Sequence, residues 1–485
     1  MSEGLILTII IAYFSVLILF SYLTSRGADT NTFFVGNKES KWYVVAFGMI
    51  GASLSGVTFI SVPGWVDGNQ FAYMQIVLGY LVGYLVVAYV LLPIYYRMNL
   101  ISIYGYLEER FGGWTYKTGA SLFLISRILG ASIRLLLAAS VFHNFIFAKW
   151  GIPFWVTVLF SILFIWVCTF KGGIKTIVWT DTLQTLFMLL SLGITIYIIS
   201  DYLGFGDEGG LVQVISDSKY SRIFFFDEWR NKNYFWRQFV TGMFVTIGMT
   251  GLDQDLMQKN LSCKNIKEAQ KNMVSFAFVL TLVNLAFLVL GATLFMYASD
   301  HGVVVDRTDQ LFPTIALSKD FSVTVGVLFI LGLFAATYAS ADSALASLTT
   351  SFCVDFIGVR KMEEPQQKKW KDRVHVGMSI VLLVVILVLD VMVSDNAIDS
   401  ILFFAGFTYG PLIGFYAFGI FTKRALRKDY HSLLSAALAL ATSIVVYLFQ
   451  KEIFDFDYKI KHEIIILNSF LTFCFMFLFS KNKSA

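Results

Sequence analysis

Residues 335–355 combine many small hydroxyl-bearing side chains with one carboxylate, in a stretch long enough to cross a membrane. Asp342 lies in mid-segment, and the hydroxyls belong to Thr337, Ser340, Ser343, Ser347, Thr349, Thr350 and Ser351. Lipid would not tolerate these groups on a helix surface, because unpaired polar groups are costly in hydrocarbon. Hydroxyl and carbonyl oxygens near a carboxylate are the ligands that a hard monovalent cation prefers. The segment therefore indicates either a cation site or a tight helix–helix seam, since small residues also let helices approach closely.

The composition of the whole chain is that of a membrane protein. Of its 485 residues, 57% are hydrophobic and 14% are charged, and the mean hydropathy is +0.70. These values predict an all-α polytopic membrane protein, because the apolar stretches have the length of helices and not of barrel strands. The four cysteines show no spacing typical of a metal site or a disulfide framework.

Thirteen transmembrane helices are predicted, and the charges of their loops set an orientation. The predicted spans are 4–23, 42–66, 70–98, 118–147, 152–170, 173–200, 236–257, 272–298, 322–357, 373–391, 398–421, 429–449 and 461–480. With the N-terminus outside and the C-terminus cytoplasmic, 24 Lys and Arg residues fall inside and 11 outside, which satisfies the positive-inside rule. The first span follows Met1-Ser2-Glu3-Gly4 with no basic region or cleavage site, so we expect it to be retained.

Two predicted spans are interrupted by glycine at corresponding places. The second span contains residues 48–56, GMIGASLSG, and the seventh contains residues 241–251, TGMFVTIGMTG. These spans lie five apart, which is the separation expected for two five-helix halves. Paired broken helices in an inverted repeat indicate a midplane binding site of a transporter, because unwound carbonyls and half-helix ends can bind ions and solute.

Several motifs in order make the chain resemble the sodium:solute symporter family over nearly its whole length. They are Lys171-Gly172-Gly173, Val178-Trp179-Thr180-Asp181 with Gln184, Gly251-Leu252-Asp253-Gln254 with Gln258-Lys259, Ser340 to Asp355, and Leu107-Glu108-Glu109-Arg110-Phe111. The resemblance implies the five-plus-five inverted-repeat fold of the leucine transporter. It implies repeats at 42–200 and 236–421, a peripheral helix at 4–23 and two more at 429–480, all in one transmembrane domain.

The resemblance also implies a sodium site between the broken first core helix and the eighth core helix. Family ligand positions fall on Gly51 and Leu54 in the former, and on Ala336, Ala339 and Ser340 in the latter. Ala339 departs from the family pattern, because a hydroxyl is missing there. A structural role for Ser340 is the alternative.

A second site, for sodium or a proton, is predicted at Asp181, Asp342 and Ser343. A carboxylate well inside a span is costly unless it binds a cation, takes a proton or pairs. Similar symporters use the aspartate at the position of Asp181 near a second sodium, with hydroxyls from the eighth core helix. Two close buried carboxylates would not both ionise without a cation between them. In the alternative, Asp342 pairs with Arg134 or Arg127.

Arg127 and Arg134 are seven residues apart on one predicted helix and therefore share a face. Intramembrane arginines face the protein interior and usually meet an anion. Family members that carry sialic acid use an arginine of this helix for the carboxylate of the substrate. Arg134 is favoured over Arg127 for this role, and a structural role for both arginines stays open.

The substrate cavity is expected to be lined from three spans. The expected lining residues are Ser53, Ser55, Thr58, Tyr73, Gln75, Thr246 and Met249, together with Arg134. Where sugar-carrying relatives have polar residues, this chain has Val77, Leu280 and Leu402, and their tyrosine gate falls on Met249. A hexose needs many satisfied hydrogen bonds, so these residues favour a small organic anion. Residues 408–411 are expected to form a kink that could gate the outer side.

These observations predict a sodium-coupled symporter of the bacterial inner membrane that imports a small organic solute by alternating access. Its expected partners are the solute and the lipid bilayer, with no nucleic acid and no obligate protein partner. A sodium/sugar or polyol symporter is the alternative within the fold. A transporter-like membrane sensor is the alternative of another class, although such sensors usually append a cytoplasmic domain and this chain stops at Ala485. No nucleophile–base pair, Walker loop or metal-ligand spacing supports an enzyme. Asp253, Asp255 and Asp355 are expected near cytoplasmic helix ends, paired with basic loops.

Overall fold

The computed structural model describes residues 3–24, 40–100, 102–145, 147–169, 173–207, 209–318, 321–392, 397–453 and 460–482. The first two residues of the motif Lys171-Gly172-Gly173 lie outside this part of the chain. Within it the α-helices are α1 (Glu3–Thr24), α2 (Trp42–Ser53), α3 (Gly56–Asn69), α4 (Tyr73–Val86), α5 (Leu92–Arg97), α6 (Gly105–Phe111), α7 (Gly113–Phe145), α8 (Phe154–Thr169), α9 (Gly173–Tyr202), α10 (Leu211–Asp217), α11 (Phe235–Thr246), α12 (Gln254–Leu261), α13 (Ile266–His301), α14 (Leu311–Leu317), α15 (Val323–Ser351), α16 (Glu364–Met392), α17 (Ala397–Phe421), α18 (His431–Leu448), α19 (Gln450–Ile453) and α20 (Ile464–Leu478).

Short π-helical and 3-10 turns connect several of these helices. The π turns are Val87–Leu91, Ile247–Gly251 and Phe352–Ile357, and the 3-10 turns are Phe147–Trp150, Thr308–Gln310 and Val359–Lys361. The strands are β1 (Ala425–Leu426) and β2 (Ser480–Lys481), which pair antiparallel. The π turn at Ile247–Gly251 is followed by the non-helical Leu252 and Asp253, so the seventh predicted span is divided into α11 and α12.

Eight helices of the described residues are long and apolar enough to cross a membrane, and a ninth span arises if α2 and α3 are joined. Those two helices meet at a bend of 59°. Shorter apolar helices occupy Gly4–Leu19, Phe154–Trp166 and Ile464–Leu478, where the first, fifth and thirteenth spans are predicted. The all-α polytopic fold is thus confirmed, and the count of thirteen spans stays a prediction.

Helix α15 lies at the centre of the bundle. Every residue from Leu333 to Ser351 is buried, and α15 contacts α2, α3, α7, α9 and α16. This enclosure follows from its sequence, because a helix with so many hydroxyls and a carboxylate is stable in a membrane only when protein surrounds it. The helix therefore holds its polar groups against the broken pair α2–α3.

A seam of close backbone contact joins α4 to α11. A Cβ atom placed on Gly79 would lie 2.0 Å from the carbonyl oxygen of Phe239, and one on Gly242 would lie 2.1 Å from that of Ile76. Membrane helices gain most of their association energy from such van der Waals packing, which small residues permit. The two glycines therefore fix α4, which follows the first broken helix, against the second broken helix.

We predict that Gly79→Ala destabilises the protein by about 1–3 kcal/mol, because its methyl group would overlap main-chain atoms that cannot rotate away. Thermal unfolding of the detergent-purified protein measures the change. The matched control is Gly193→Ala in α9, where a Cβ atom meets nothing within 4 Å, so the melting temperature should stay constant or rise slightly. Equal melting temperatures for both variants would contradict the seam.

Candidate functional site

The break between α2 and α3 leaves backbone oxygens without helical partners. Leu54 and Ser55 have ψ angles of 81° and 174°, far from helical values. The amide of Ser55 donates to the carbonyl of Ser53 and not to that of Gly51. On the other side of the break, the amide of Phe59 donates to the carbonyl of Ser55. Among the described residues, the carbonyls of Gly51 and Leu54 thus lack the bond that a continuous helix would give them. Both residues are predicted sodium ligands, and the local geometry leaves their oxygens available.

Gly51 is held against α9 by a contact that admits no side chain. Its amide donates to Oγ1 of Thr185 at 2.9 Å, and a Cβ atom on Gly51 would lie 2.3 Å from that oxygen. The Thr185 hydroxyl in turn donates to the carbonyl of Asp181 at 2.7 Å. The broken helix is therefore coupled directly to the helix that carries the predicted second site.

The three predicted sodium-ligand positions on α15 are all buried. Ala336, Ala339 and Ser340 have exposed fractions of at most 1%. The hydroxyl of Ser340 donates its proton to the carbonyl of Thr337 at 2.9 Å. The lone pairs of the Ser340 oxygen can therefore still bind a cation. Carbonyl and hydroxyl oxygens of this kind suit a hard monovalent cation.

The hydroxyl of Thr337, which the sequence did not assign to the site, also lies at the break. Oγ1 of Thr337 is buried without a hydrogen-bond partner among the described residues. A Cβ atom on Gly56 would lie 2.1 Å from it, so the hydroxyl lies directly against the start of α3. Thr337 thus brings an unpartnered hydroxyl to the start of α3, directly after the break.

The predicted second site contains a cation that belongs to the protein. Nζ of Lys259 lies 2.6 Å from Oδ2 of Asp181, and both side chains are at most 1% exposed. The hydroxyl of Ser343 does not donate to Asp181, because it donates to Asp255. Asp342 accepts a hydrogen bond from the amide of Ser343 at 2.6 Å.

The alternative pairing of Asp342 with an arginine is not observed. Arg127 pairs with Asp255 and lies 3.9 Å from Oδ2 of Asp253. Within the described residues, Asp342 has no Lys, Arg or His nitrogen within salt-bridge distance. Asp342 is therefore a buried carboxylate that interacts electrostatically with Asp181, Lys259 and Asp255.

The prediction that Asp253 and Asp255 pair with basic loops is wrong. Both are fully buried: Asp253 caps α12 by accepting from the amide of Asp255 at 2.9 Å, and it also accepts from the hydroxyl of Tyr409. The helix break explains the difference, because it lets a charged segment turn inward within the bundle. The sequence did contain a signal for this buried segment: Asp255 and Lys259 are spaced four residues apart, directly after a glycine-rich turn. Asp355 does lie beside Lys117, whose ammonium donates to its main-chain carbonyl.

A cavity of about 110 Å³ adjoins the break. It is lined by seven of the eight predicted substrate residues, namely Ser53, Ser55, Thr58, Tyr73, Arg134, Thr246 and Met249. Leu280 and Leu402 line it as expected, and so do residues that sequence reasoning missed: Tyr80, Tyr84, Thr250 and Asn284.

Val77, which was also expected on the lining, is not among the residues that line the cavity. Gln75 is the other predicted lining residue that lies elsewhere. Its amide nitrogen donates to the carbonyl of Asn233 at 2.8 Å, and its oxygen accepts from the amide of Phe225 at 3.1 Å. Both polar ends of this side chain are therefore committed to the loop before α11. Gln75 stabilises that loop and does not face the cavity.

The two arginines of α7 have different surroundings, although both line the cavity. Arg127 is neutralised by Asp255 and Asp253. Arg134 is 9% exposed, and its guanidinium makes no hydrogen bond or ion pair with the described residues. Among the described residues, no carboxylate lies within salt-bridge distance of Arg134, and Asp253 and Asp255 interact with it only at longer range.

The segment at 408–411 joins the same network. Thr408 donates to the hydroxyl of Ser126 at 2.9 Å, and Tyr409 donates to Asp253. Helix α17 continues through Pro411 without interruption. These contacts tie α17 to α7 and to the start of α12, on the side of the cavity where Arg127 lies.

Comparison with known proteins places this arrangement among cation-coupled transporters. Residues 33–429 match the model of the sodium:solute symporter family. The sodium/sialic acid symporter NanT of Aliivibrio fischeri is 26% identical over 90% of this chain and 85% of its own length. Sodium-coupled monocarboxylate transporter 2 of Homo sapiens is 24% identical over 83% of this chain and 65% of its own length.

Solved structures share the fold. A sodium-coupled sialic acid symporter in a substrate-bound outward-open state superposes with a TM-score of 0.81 at 20% identity, covering 99% of both chains. A nucleobase-cation-symport-1 family transporter in a closed conformation superposes with a TM-score of 0.60 at 15% identity, covering 92% of this chain and 94% of the other. The five-plus-five inverted-repeat fold expected from the sequence is thereby confirmed.

We predict that Arg127→Gln destabilises the protein by about 3–5 kcal/mol, because it leaves Asp255 and Asp253 buried without their cation. The matched control is Arg222→Gln, which breaks a pair with side chains 47% and 74% exposed and should cost about 0–1 kcal/mol. Thermal unfolding compares the two variants with the wild type. Similar small losses in both would show that Arg127 is not a structural counter-charge.

Proposed function

The chain belongs to the sodium:solute symporter family and is a sodium-coupled membrane transporter, and on that premise we propose that its solute is a small organic carboxylate. The observation that carries the proposal is Arg134, a cavity-lining guanidinium with no partner among the described residues. A buried charge without a counter-charge is costly. A carboxylate solute would supply the missing charge and match the planar donors of the guanidinium.

The solutes named for relatives agree with this proposal. Sialic acid is a carboxylated sugar, and monocarboxylates carry the same group. A carboxylate is the chemical feature that these solutes share. A neutral sugar or polyol would leave Arg134 unpaired and would face the apolar Leu280 and Leu402, which argues against the alternative.

We propose that the coupling sodium binds between the break and α15, at Gly51, Leu54, Ala336, Ala339 and Ser340. The free carbonyls at the break and the buried hydroxyl of Ser340 support this assignment. A cation there would bind oxygens of two separate elements and hold the broken helix against α15. The cavity begins at the same break, through Ser53 and Ser55. Sodium binding would therefore favour the conformation in which the cavity is ready for solute.

The direction of transport would follow from the membrane potential. One sodium ion that enters across 100 mV contributes about 2.3 kcal/mol. We propose that the core helix bundle rocks around the break to expose the cavity alternately to the two sides of the membrane. The proposed orientation has the N-terminus outside and the C-terminus cytoplasmic, as the loop charges favour.

For the sodium site, we predict that Ser340→Ala lowers sodium affinity about tenfold, which corresponds to about 1.4 kcal/mol, because one oxygen ligand is lost. The melting temperature is measured as sodium replaces potassium at constant ionic strength. Ser347→Ala is the matched control, since its buried hydroxyl makes the same 2.9 Å bond, to the carbonyl of Ala344 on the same helix. An unchanged sodium dependence in Ser340→Ala would remove this residue from the site.

For the solute site, we predict that Arg134→Gln weakens binding of a carboxylate by about 2–5 kcal/mol and leaves the sodium-dependent stabilisation in place. The measurement is a thermal-shift panel in sodium, with sialic acid, lactate and pyruvate each compared with its neutral amide. The wild type should be stabilised by at least one acid and by none of the amides. Stabilisation by an acid that is equal in the wild type and in Arg134→Gln would contradict the proposed role of Arg134.

A further inference from the structure

One of the residues predicted to hold a second cation, Asp181, pairs with an ammonium group of the protein itself. Lys259 lies 2.6 Å from Asp181, and its side chain is 1% exposed. It also interacts electrostatically with Asp255 and Asp342. The counter-charge that the buried Asp181 carboxylate requires is thus supplied without any ion from solution.

A second sodium ion at the predicted residues would have to share Asp181 with this lysine, because Oδ2 of Asp181 accepts from Lys259. A sodium ion bound to Asp181 would lie beside a like charge in a desolvated environment, where repulsion is strong. The residues present therefore fit a second sodium ion poorly.

The second helix break explains how Lys259 reaches Asp181. Lys259 follows Asp255 by one helical turn in α12, so the two side chains lie on one face. Helix α12 begins inside the bundle, directly after Leu252 and Asp253, and it contacts both α9 and α15. The lysine stem is long and flexible and ends in a compact charge with three donors, which allows it to reach Asp181 on α9.

We propose that the ammonium of Lys259 takes the place of a second sodium ion, so that this transporter binds one sodium ion per protein. The inference rests on the proposed sodium site at the break between α2 and α3. It assigns Lys259 a role in setting the coupling stoichiometry. Without Lys259, the freed carboxylates of Asp181 and Asp342 would take a sodium ion from solution.

Equilibrium dialysis of the purified protein against radioactive sodium tests the proposal directly. The wild type should bind about one sodium ion, and Lys259→Met should bind about two, with a steeper rise of the melting temperature against the logarithm of sodium concentration. Lys259→Arg should keep the wild-type stoichiometry, because it keeps the charge. The double variant Lys259→Met with Asp181→Asn should return to one ion, because it removes the new site.

Two sodium ions in the wild type would overturn the inference and leave the proposed function intact. One bound sodium ion in both the wild type and Lys259→Met would also overturn the inference, because it would show that Lys259 does not exclude a second sodium ion. If Lys259→Met does not fold, the wild-type stoichiometry alone decides. Absence of sodium binding in the wild type would instead remove the sodium site at the break, and the inference with it.

Discussion

Charged side chains within an apolar helical bundle have to find their counter-charges inside the protein, and this requirement organises the centre of the molecule. Asp181 with Lys259 and Asp255 with Arg127 form two buried ion pairs. They join α7, α9 and α12, and the hydroxyl of Ser343 connects α15 to them through Asp255. Breaking such a pair by removing one partner costs far more than an exposed pair is worth. The same requirement makes Arg134 informative, because it has no ion-pair partner among the described residues and the proposed carboxylate solute would supply one.

The two helix breaks make this network possible and give it a function. At the first break, the carbonyls of Gly51 and Leu54 lack helical partners, the helices on both sides contact the hydroxyl-rich α15, and a cavity adjoins the break. At the second, the chain leaves the helix at Leu252 and Asp253, which brings Asp255 and Lys259 into the core. In the proposal, the first break binds an ion from solution, whereas the second brings Lys259, a cation of the protein, into the core. The proposed difference between the two positions is that a sodium ion can leave during transport and a lysine cannot.

Much of this arrangement could be predicted from the sequence, for identifiable reasons. The two helix breaks could be predicted because glycine clusters interrupt apolar spans. The central position of α15 could be predicted because its many hydroxyls would be unstable against lipid. Most of the cavity lining followed from the family resemblance. Gln75 could not be placed correctly, because helical periodicity shows that a position is buried but not which neighbour covers it, and here the loop at 225–233 takes its amide. Asp253 and Asp255 were expected to pair with basic loops at a cytoplasmic helix end, because hydropathy does not reveal that this helix end lies inside the bundle.

The central claim is that sodium and a carboxylate solute cross the membrane together, and paired fluxes in proteoliposomes test it most directly. Uptake of labelled sialic acid, lactate and pyruvate would be measured with an inward sodium gradient and with an equal potassium gradient, while radioactive sodium reports ion entry. The account predicts that at least one acid enters only with sodium, that it accelerates sodium entry, and that its amide does neither. Uptake of an acid at equal rates in sodium and in potassium would contradict it.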